Sequence, residues 1–178
     1  ARVQGFQGEN LSDISTIAAC AKHYAGYGFS EAGRDYNTAD FNHYTLHNTI
    51  LPPFKAANDA GVKTFMNAFN TIDEIPATGH KFLQRDILKK DWAFDGFIVS
   101  DWGSIEQMIP HVFARDGNHA AELAILAGSD MDMESSLYVN ELVKLVENGK
   151  IGISLIDDAV RRILNVKYDL GLFENPYK

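Results

Sequence analysis

The chain has 178 residues, enough for one domain with its own hydrophobic core. Hydrophobic residues make up 46% of the sequence and charged residues 22%, which excludes an intrinsically disordered chain. The net charge of -8 argues against nucleic acid and anionic membranes as partners, because both favour basic surfaces. The single cysteine, Cys20, lies in an apolar run and predicts a buried thiol without a disulfide partner in the chain.

Apolar runs and amphipathic segments alternate from the first half of the chain onward. In chain order they predict a strand, a helix, a strand and a helix, at Ile17–Ala21, Leu46–Ala60, Thr64–Ala68 and Lys81–Asp91. Gly61 follows the first of these helices at a position suited to a left-handed cap. A long loop separates the first strand from the first helix.

The second half of the chain repeats this order. Gly96–Ser100 is almost entirely apolar and predicts a strand that is buried on both faces. Ser104 and Gln107 have the spacing of a capping box, which predicts the start of a helix. A helix, a short strand and two further helices are expected at Asn118–Ala127, around Asp130–Met133, at Val139–Val146 and from Ser154.

This alternation predicts an α/β fold in which helices connect parallel strands by right-handed crossovers. Four such units would make half of an eight-stranded barrel or a small open doubly wound sheet. We favour the half-barrel, because charged and aromatic residues follow the strands and no Gly-rich phosphate loop does. Half a barrel leaves two open strand edges, so we expect the rest of the barrel on a segment outside this chain.

Polar side chains follow every predicted strand, and in a barrel these strand ends converge on one pocket. They are Lys22, His23, Asn67, Asn70, Asp101, Trp102, Asp130 and Asp132. Asp101 is the first candidate for chemistry, because a carboxylate at the end of an apolar strand costs free energy unless it is paired or used. Trp102 suits carbohydrate, since the C–H faces of sugar rings pack on aromatic rings. Lys22 and His23 would donate hydrogen bonds to sugar hydroxyls.

Four segments resemble successive segments of glycoside hydrolase family 3, in its bacterial β-glucosidase branch. They read AKHYAGYG, MNAFNTIDEIPATG, GFIVSDWGSIEQ and NVKYDLGLFENPY, and their order and spacing agree with the family over nearly the whole chain. The resemblance implies that residues 1–178 form the second, C-terminal half of the family's catalytic (β/α)8 TIM-type barrel. It implies no metal and no cofactor.

The same resemblance implies a retaining double displacement with Asp101 as the nucleophile. Lys22, His23 and Met66 would line the subsite of the non-reducing sugar, together with Phe69 and Trp102. Family members that act on N-acetylhexosamines carry a catalytic His and Asp after the Lys-His pair. This chain has Tyr27 and Gly28 in that region, so the hexosaminidase dyad is absent.

In the β-glucosidase branch the acid/base carboxylate comes from a domain that follows the barrel, and the first half of the barrel binds sugar as well. We therefore expect the complete enzyme to hydrolyse terminal non-reducing β-D-glucosyl residues. Its expected partners are a β-glucoside or short β-glucan, the remaining half of the barrel and the C-terminal domain. The branch also implies a periplasmic or secreted location.

Other interpretations stay open. The enzyme could be a β-xylosidase or exo-β-glucanase of the same family, and the chain could be an inactive fragment that only binds a partner or sugar. A metal-dependent barrel hydrolase would use Lys22, His23 and Asp101 at or beside the metal. Asp101 could instead cap a helix, and Met66 and Phe69 could be core residues. Asp130 and Asp132 are expected to pair with neighbouring groups of the barrel.

Overall fold

The computed structural model describes residues 1–177 as an α/β structure. Its strands are β1 (Cys20–Tyr24), β2 (Thr64–Asn67), β3 (Thr71–Ile72), β4 (Ile75–Pro76) and β5 (Phe97–Val99). Its helices are α1 (Arg2–Gln7), α2 (His43–Thr45, Leu46–Ile50 and Leu51–Asp59 in succession), α3 (Phe82–Asp91), α4 (Gly117–Ala127), α5 (Leu137–Glu147) and α6 (Ile153–Asp169). The middle segment of α2 and the whole of α3 have π-helical hydrogen bonding.

In the described part of the chain, three parallel strands form the main sheet in the order β1-β2-β5, and β3 and β4 form a short antiparallel hairpin. Cys20 lies opposite Thr64 across the first pair of strands, and Phe65 lies opposite Ile98 across the second. Long helices separate these strands in sequence, as the alternating pattern predicted. The predicted left-handed cap is confirmed as well, since Gly61 has a φ of 79° after α2.

The main core lies between one face of the sheet and helices α2 and α3. Side chains alternate between the two faces of a strand, so Phe65 and Ile98 share the face that packs on these helices. Leu83 and Leu88 of α3 pack into the same cluster and are fully buried. A separate cluster joins α4, α5 and α6. None of the helices within residues 1–177 combines the length and the hydrophobicity required to cross a membrane.

The predicted position of the first strand is wrong. The strand begins at Cys20 and not at Ile17, so Lys22 and His23 lie within β1 and not beyond its end. The side chain of Ile17 is 60% exposed, and its main-chain N–H donates to Phe6 O at 2.9 Å instead of joining the sheet. Cys20 is exposed and not buried, because β1 is the edge strand of the described sheet.

Two further elements are shorter than the sequence predicted. The fourth strand is reduced to a single parallel bridge between Val99 and Met131. Side chains take the place of the missing ladder, because Asp130 Oδ2 accepts from Ile98 N at 2.9 Å and Ser100 Oγ accepts from Met133 N at 2.8 Å.

The helix expected from Ser104 is only a 3₁₀ turn at Glu106–Met108. Ser104 does not act as its cap, because Ile105 is the N-cap residue and no side chain bonds to the turn's N–H groups. The Ser104 hydroxyl oxygen accepts a hydrogen bond from Thr78 Oγ1 at 2.8 Å. That buried contact ties the turn to the segment after β4.

Candidate active site

Asp101 lies two residues beyond β5, at the carboxyl-terminal edge of the sheet. Its carboxylate oxygen Oδ1 accepts a hydrogen bond from Trp102 N at 2.7 Å. Its main-chain oxygen accepts from Ser100 Oγ at 2.9 Å and from Ser104 N at 3.1 Å. The residue is 9% exposed, so these bonds fix the carboxylate in one orientation.

The second carboxylate oxygen, Oδ2, accepts no hydrogen bond from any residue within 1–177. His23 Nε2 is 3.3 Å away, but the two groups are not aligned as a hydrogen bond. A buried acceptor without a partner costs about 1–3 kcal/mol of folding free energy. The oxygen is therefore a group that a ligand could satisfy.

His23 lies in β1 and is half-buried beside Asp101. Burial lowers the pKa of its imidazole, and the Asp101 carboxylate opposes this shift only in part. The ring is therefore neutral near pH 7, with one nitrogen donating and the other accepting. Its edge meets the ring of Tyr27 at a centroid distance of 5.1 Å.

Lys22 and Met66 lie on the face of the sheet away from the main core. Lys22 is exposed, and its Nζ is 3.9 Å from Met66 Sδ on the neighbouring strand. Trp102 follows the carboxylate directly and is 63% exposed. Lys22 and Met66 thus contact each other on adjacent strands, and Trp102 is the residue after Asp101.

Phe69 lies in a row of aromatic rings that leads away from Asp101. Its ring centroid is 5.9 Å from that of Tyr27 and 4.6 Å from that of Tyr36. The aromatic row is defined here as His23, Tyr27, Phe69 and Tyr36. Sequence analysis did not place Tyr27 or Tyr36 at the site, and the only signal for them was the density of aromatic residues after the Lys-His pair.

The expectation that polar groups of every strand end converge on one pocket is wrong for Asp130 and Asp132. Asp130 forms a buried ion pair with Lys89 at 2.6 Å, which confirms the expected pairing with a neighbouring group. Burial is the main cause of the raised pKa of Asp130 and of the lowered pKa of Lys89, which falls to about 8. Asp132 accepts from Ser135 Oγ at 2.7 Å and from Tyr138 N at 3.2 Å.

The amide side chains at and just beyond the end of β2 are also buried in the interior of the protein. Asn67 is fully buried, and its Nδ2 donates to Ser129 Oγ at 2.7 Å. Asn70 is fully buried and donates to Thr71 O at 3.3 Å. Within residues 1–177 no group of three or more His, Cys, Asp or Glu side chains is placed to hold a metal ion.

Comparison with known proteins identifies the family. The profile described as "Glycosyl hydrolase family 3 N terminal domain" matches residues 1–166. A periplasmic β-glucosidase of Salmonella typhimurium is 41% identical over 98% of this chain and 23% of its own length. A putative β-xylosidase of Formosa agariphila is 35% identical over 98% of this chain and 24% of its own length.

Solved structures agree with the sequence relatives. A β-glucosidase from Listeria innocua superposes with a TM-score of 0.96 and 46% identity over 98% of this chain and 25% of that chain. Structures of that enzyme hold glucose and, for one mutant, laminaribiose. The chain spans about a quarter of the length of these relatives. On the strength of the profile match and these identities, the chain belongs to glycosyl hydrolase family 3.

Proposed function

We propose that the full-length protein containing this chain is a retaining β-glucosidase in which Asp101 is the nucleophile. The observation that carries the proposal is the geometry of Asp101. One carboxylate oxygen is anchored by Trp102 N, and the other lies beside His23 without a hydrogen-bond partner among the described residues. Membership of a glycosidase family supports carbohydrate as the ligand.

In the proposed reaction, Asp101 Oδ2 attacks the anomeric carbon of the non-reducing sugar. The bond to the leaving oxygen breaks, and that oxygen takes a proton from a general acid. Water then attacks the glycosyl-enzyme and gives its proton to the same residue, now acting as a base, while the Asp101 carboxylate leaves and the anomeric configuration is retained. Asp130 and Asp132 are bound to other groups and are poor candidates for the acid. Following the family resemblance, we propose that the acid lies outside residues 1–178, in a domain that follows the barrel.

The remaining site residues are proposed to bind sugar and not to transfer protons. Lys22 Nζ and neutral His23 would hydrogen-bond to hydroxyls of the non-reducing sugar. Met66, Phe69 and Trp102 would supply apolar surface for its C–H faces. Support comes from the contact of Lys22 with Met66 and from the exposure of Trp102.

Residues 1–178 are proposed to be the C-terminal half of the catalytic barrel, with the first half on another segment. The edge position of β1 and the exposure of Cys20 on it favour a missing neighbouring strand. The Salmonella relative is named a periplasmic enzyme, and we propose a periplasmic location here too.

A second candidate activity is β-xylosidase. Relatives named as β-xylosidases are 31% and 35% identical over 98% of the chain. Xylose lacks the hydroxymethyl group of glucose, so the two activities differ at one corner of the sugar subsite. We give precedence to glucose, because the relatives named β-glucosidases from Salmonella and Listeria reach 41% and 46% identity.

The test uses the full-length protein with aryl β-glucoside and aryl β-xyloside side by side, and proton NMR of the first sugar released. We expect faster turnover of the glucoside and a product that is initially the β-anomer. Asp101→Asn should lower kcat about 10⁴-fold. Asp95→Asn, at a carboxylate that is 81% exposed, is the matched control and should change little. An initial α-anomer, or an active Asp101→Asn variant, would refute the proposal.

A further inference from the structure

We propose, on the basis of the function proposed above, that Tyr36, Gln107 and His111 bind the leaving-group sugar of a disaccharide or longer substrate. These residues and Pro110 line a cleft of about 400 Å³. Sites for small molecules typically enclose about 300–1,000 Å³. The cleft is thus large enough for a ligand.

The residues on both sides of this cleft are connected to Asp101 by a series of contacts. On one side the aromatic row runs from Tyr36 to His23, with centroid distances of 4.6, 5.9 and 5.1 Å, and His23 is 3.3 Å from the carboxylate. On the other side two short turns connect Asp101 to His111. Their hydrogen bonds are Ser104 N to Asp101 O at 3.1 Å, Gln107 N to Gly103 O at 3.0 Å and His111 N to Gln107 O at 3.2 Å. A sugar beyond the cleaved bond would enter this space.

Tyr36 is held in place although its ring is 45% exposed. Its φ of 63° is unfavourable for a residue with a side chain, and such conformations persist where the surroundings impose them. Here its N–H donates to Asp35 Oδ1 at 3.0 Å and its ring packs edge-on against Phe69. A fixed, exposed aromatic ring loses little entropy on binding and offers a flat surface to the C–H face of a sugar.

The polar lining suits a neutral, hydroxyl-bearing ligand. Among the described residues, the side chains of Gln107 and His111 have no hydrogen-bond partner, so their donors and acceptors are free. Burial lowers the pKa of His111, so its ring is neutral near pH 7 and can both donate and accept. No Lys or Arg lines the described cleft, which argues against an anionic ligand.

The experiment measures binding to the full-length protein carrying Asp101→Asn, so that the disaccharide is not consumed. Isothermal titration with glucose reports the subsite at Asp101, and titration with laminaribiose reports both sugars. Adding Tyr36→Ala should weaken laminaribiose binding about tenfold or more while glucose binding stays within about twofold. Tyr36→Phe should bind both sugars as the Asp101→Asn protein does. Tyr44→Ala removes a tyrosine that is 75% exposed elsewhere and should change neither affinity.

Three results would overturn the inference. The first is an unchanged affinity for laminaribiose when Tyr36→Ala is added. If the Tm of that variant is also lower, the Tyr36 ring packs against the rest of the protein instead of binding sugar. Equal losses for glucose and laminaribiose would assign Tyr36 to the sugar subsite at Asp101 instead. If Asp101→Asn with native Tyr36 bound neither sugar, the proposed function would fail and this inference with it.

Discussion

At Asp101, one carboxylate oxygen is anchored, and the other is buried without a hydrogen-bond partner among residues 1–177. Trp102 N donates to Oδ1, while Oδ2 lies 3.3 Å from the His23 imidazole, whose pKa is lowered by burial. A protonated His23 at 3.3 Å would stabilise the carboxylate and weaken it as a nucleophile. A neutral His23 can instead donate a hydrogen bond to a sugar hydroxyl and leave the charge of Asp101 available.

Replacing His23 by Ala in the full-length protein should lower kcat/KM about 10- to 100-fold, as for a lost hydrogen bond to a bound hydroxyl. The pKa of His23 is lowered, so its charge changes below the ordinary value of 6.5 and not above it. The pH profile of kcat/KM from pH 6.5 upward should therefore keep its shape in the variant. His47→Ala, at an exposed histidine of α2, is the control. A lost limb of the profile, or rescue by added imidazole, would contradict a role confined to binding.

The residues that sequence could place are those whose position follows from local pattern. Asp101 was found because a fully apolar run precedes it, and β5 is indeed buried at Ile98 and Val99. Asp130 was expected to pair with a neighbouring group, but its partner could not be named because Lys89 lies 41 residues earlier in the chain. The place of Tyr36 could not be predicted, because it lies in a loop where its φ of 63°, and not a periodic pattern, sets the direction of its ring.

Among the elements, β5 depends on the segment that follows α4. Asp130 holds Ile98 N with one carboxylate oxygen and Lys89 with the other, and Lys89 and Asp130 side chains are only 6% and 1% exposed. The raised pKa of Asp130 and the lowered pKa of Lys89 both reflect the cost of burying charge. Replacing both members of such a buried pair typically costs less stability than removing one member alone.

Lys89→Met should therefore destabilise the full-length protein by about 3–5 kcal/mol, because it leaves the Asp130 carboxylate buried and uncompensated. Adding Asp130→Asn should recover most of that loss, since an amide oxygen can still accept from Ile98 N. Urea unfolding followed by fluorescence measures both changes. The control is Lys55→Met, in the exposed pair with Asp59, which should cost less than about 1 kcal/mol. A double variant as unstable as Lys89→Met would contradict the role of the uncompensated charge.

The order of strands and helices could be predicted from the sequence, because strands and helices differ in the period of their hydrophobic residues and in their length. The predicted strand boundaries were wrong where hydrogen-bond partners or the position in the sheet set them. The strand near Asp130 is shortened because Ser100 Oγ accepts the N–H of Met133 in place of a main-chain oxygen. The first strand is displaced because an edge strand does not need an apolar sequence on both faces.

For the molecule as a whole, β1 is an edge strand of the described sheet, and Lys22 contacts Met66 across the first pair of strands. The relatives are about four times as long as this chain, since it covers 23% to 25% of them. Our proposal puts the nucleophile and part of the sugar subsite in this chain and the acid/base in another segment of the full-length protein.

Residues 1–178 expressed alone should hydrolyse cellobiose at a negligible rate. General acid catalysis contributes about 10² to 10⁴-fold, and an unactivated leaving group depends on it. An aryl β-glucoside needs little protonation and could show a trace of turnover. Circular dichroism, measured on the same sample as both assays, establishes that the isolated chain is folded. Robust cellobiose hydrolysis by a folded chain would place the acid/base within these residues.

If Asp101 is the nucleophile, it forms a covalent bond to the sugar, and this bond can be trapped in the full-length protein. A 2-deoxy-2-fluoro β-glucoside with an activated leaving group slows the second displacement, so the glycosyl-enzyme accumulates. Proteolysis and tandem mass spectrometry then locate the label. We expect a single 2-fluoroglucosyl group on the Asp101 carboxylate. A label on any other carboxylate, or inactivation without a covalent label, would contradict it.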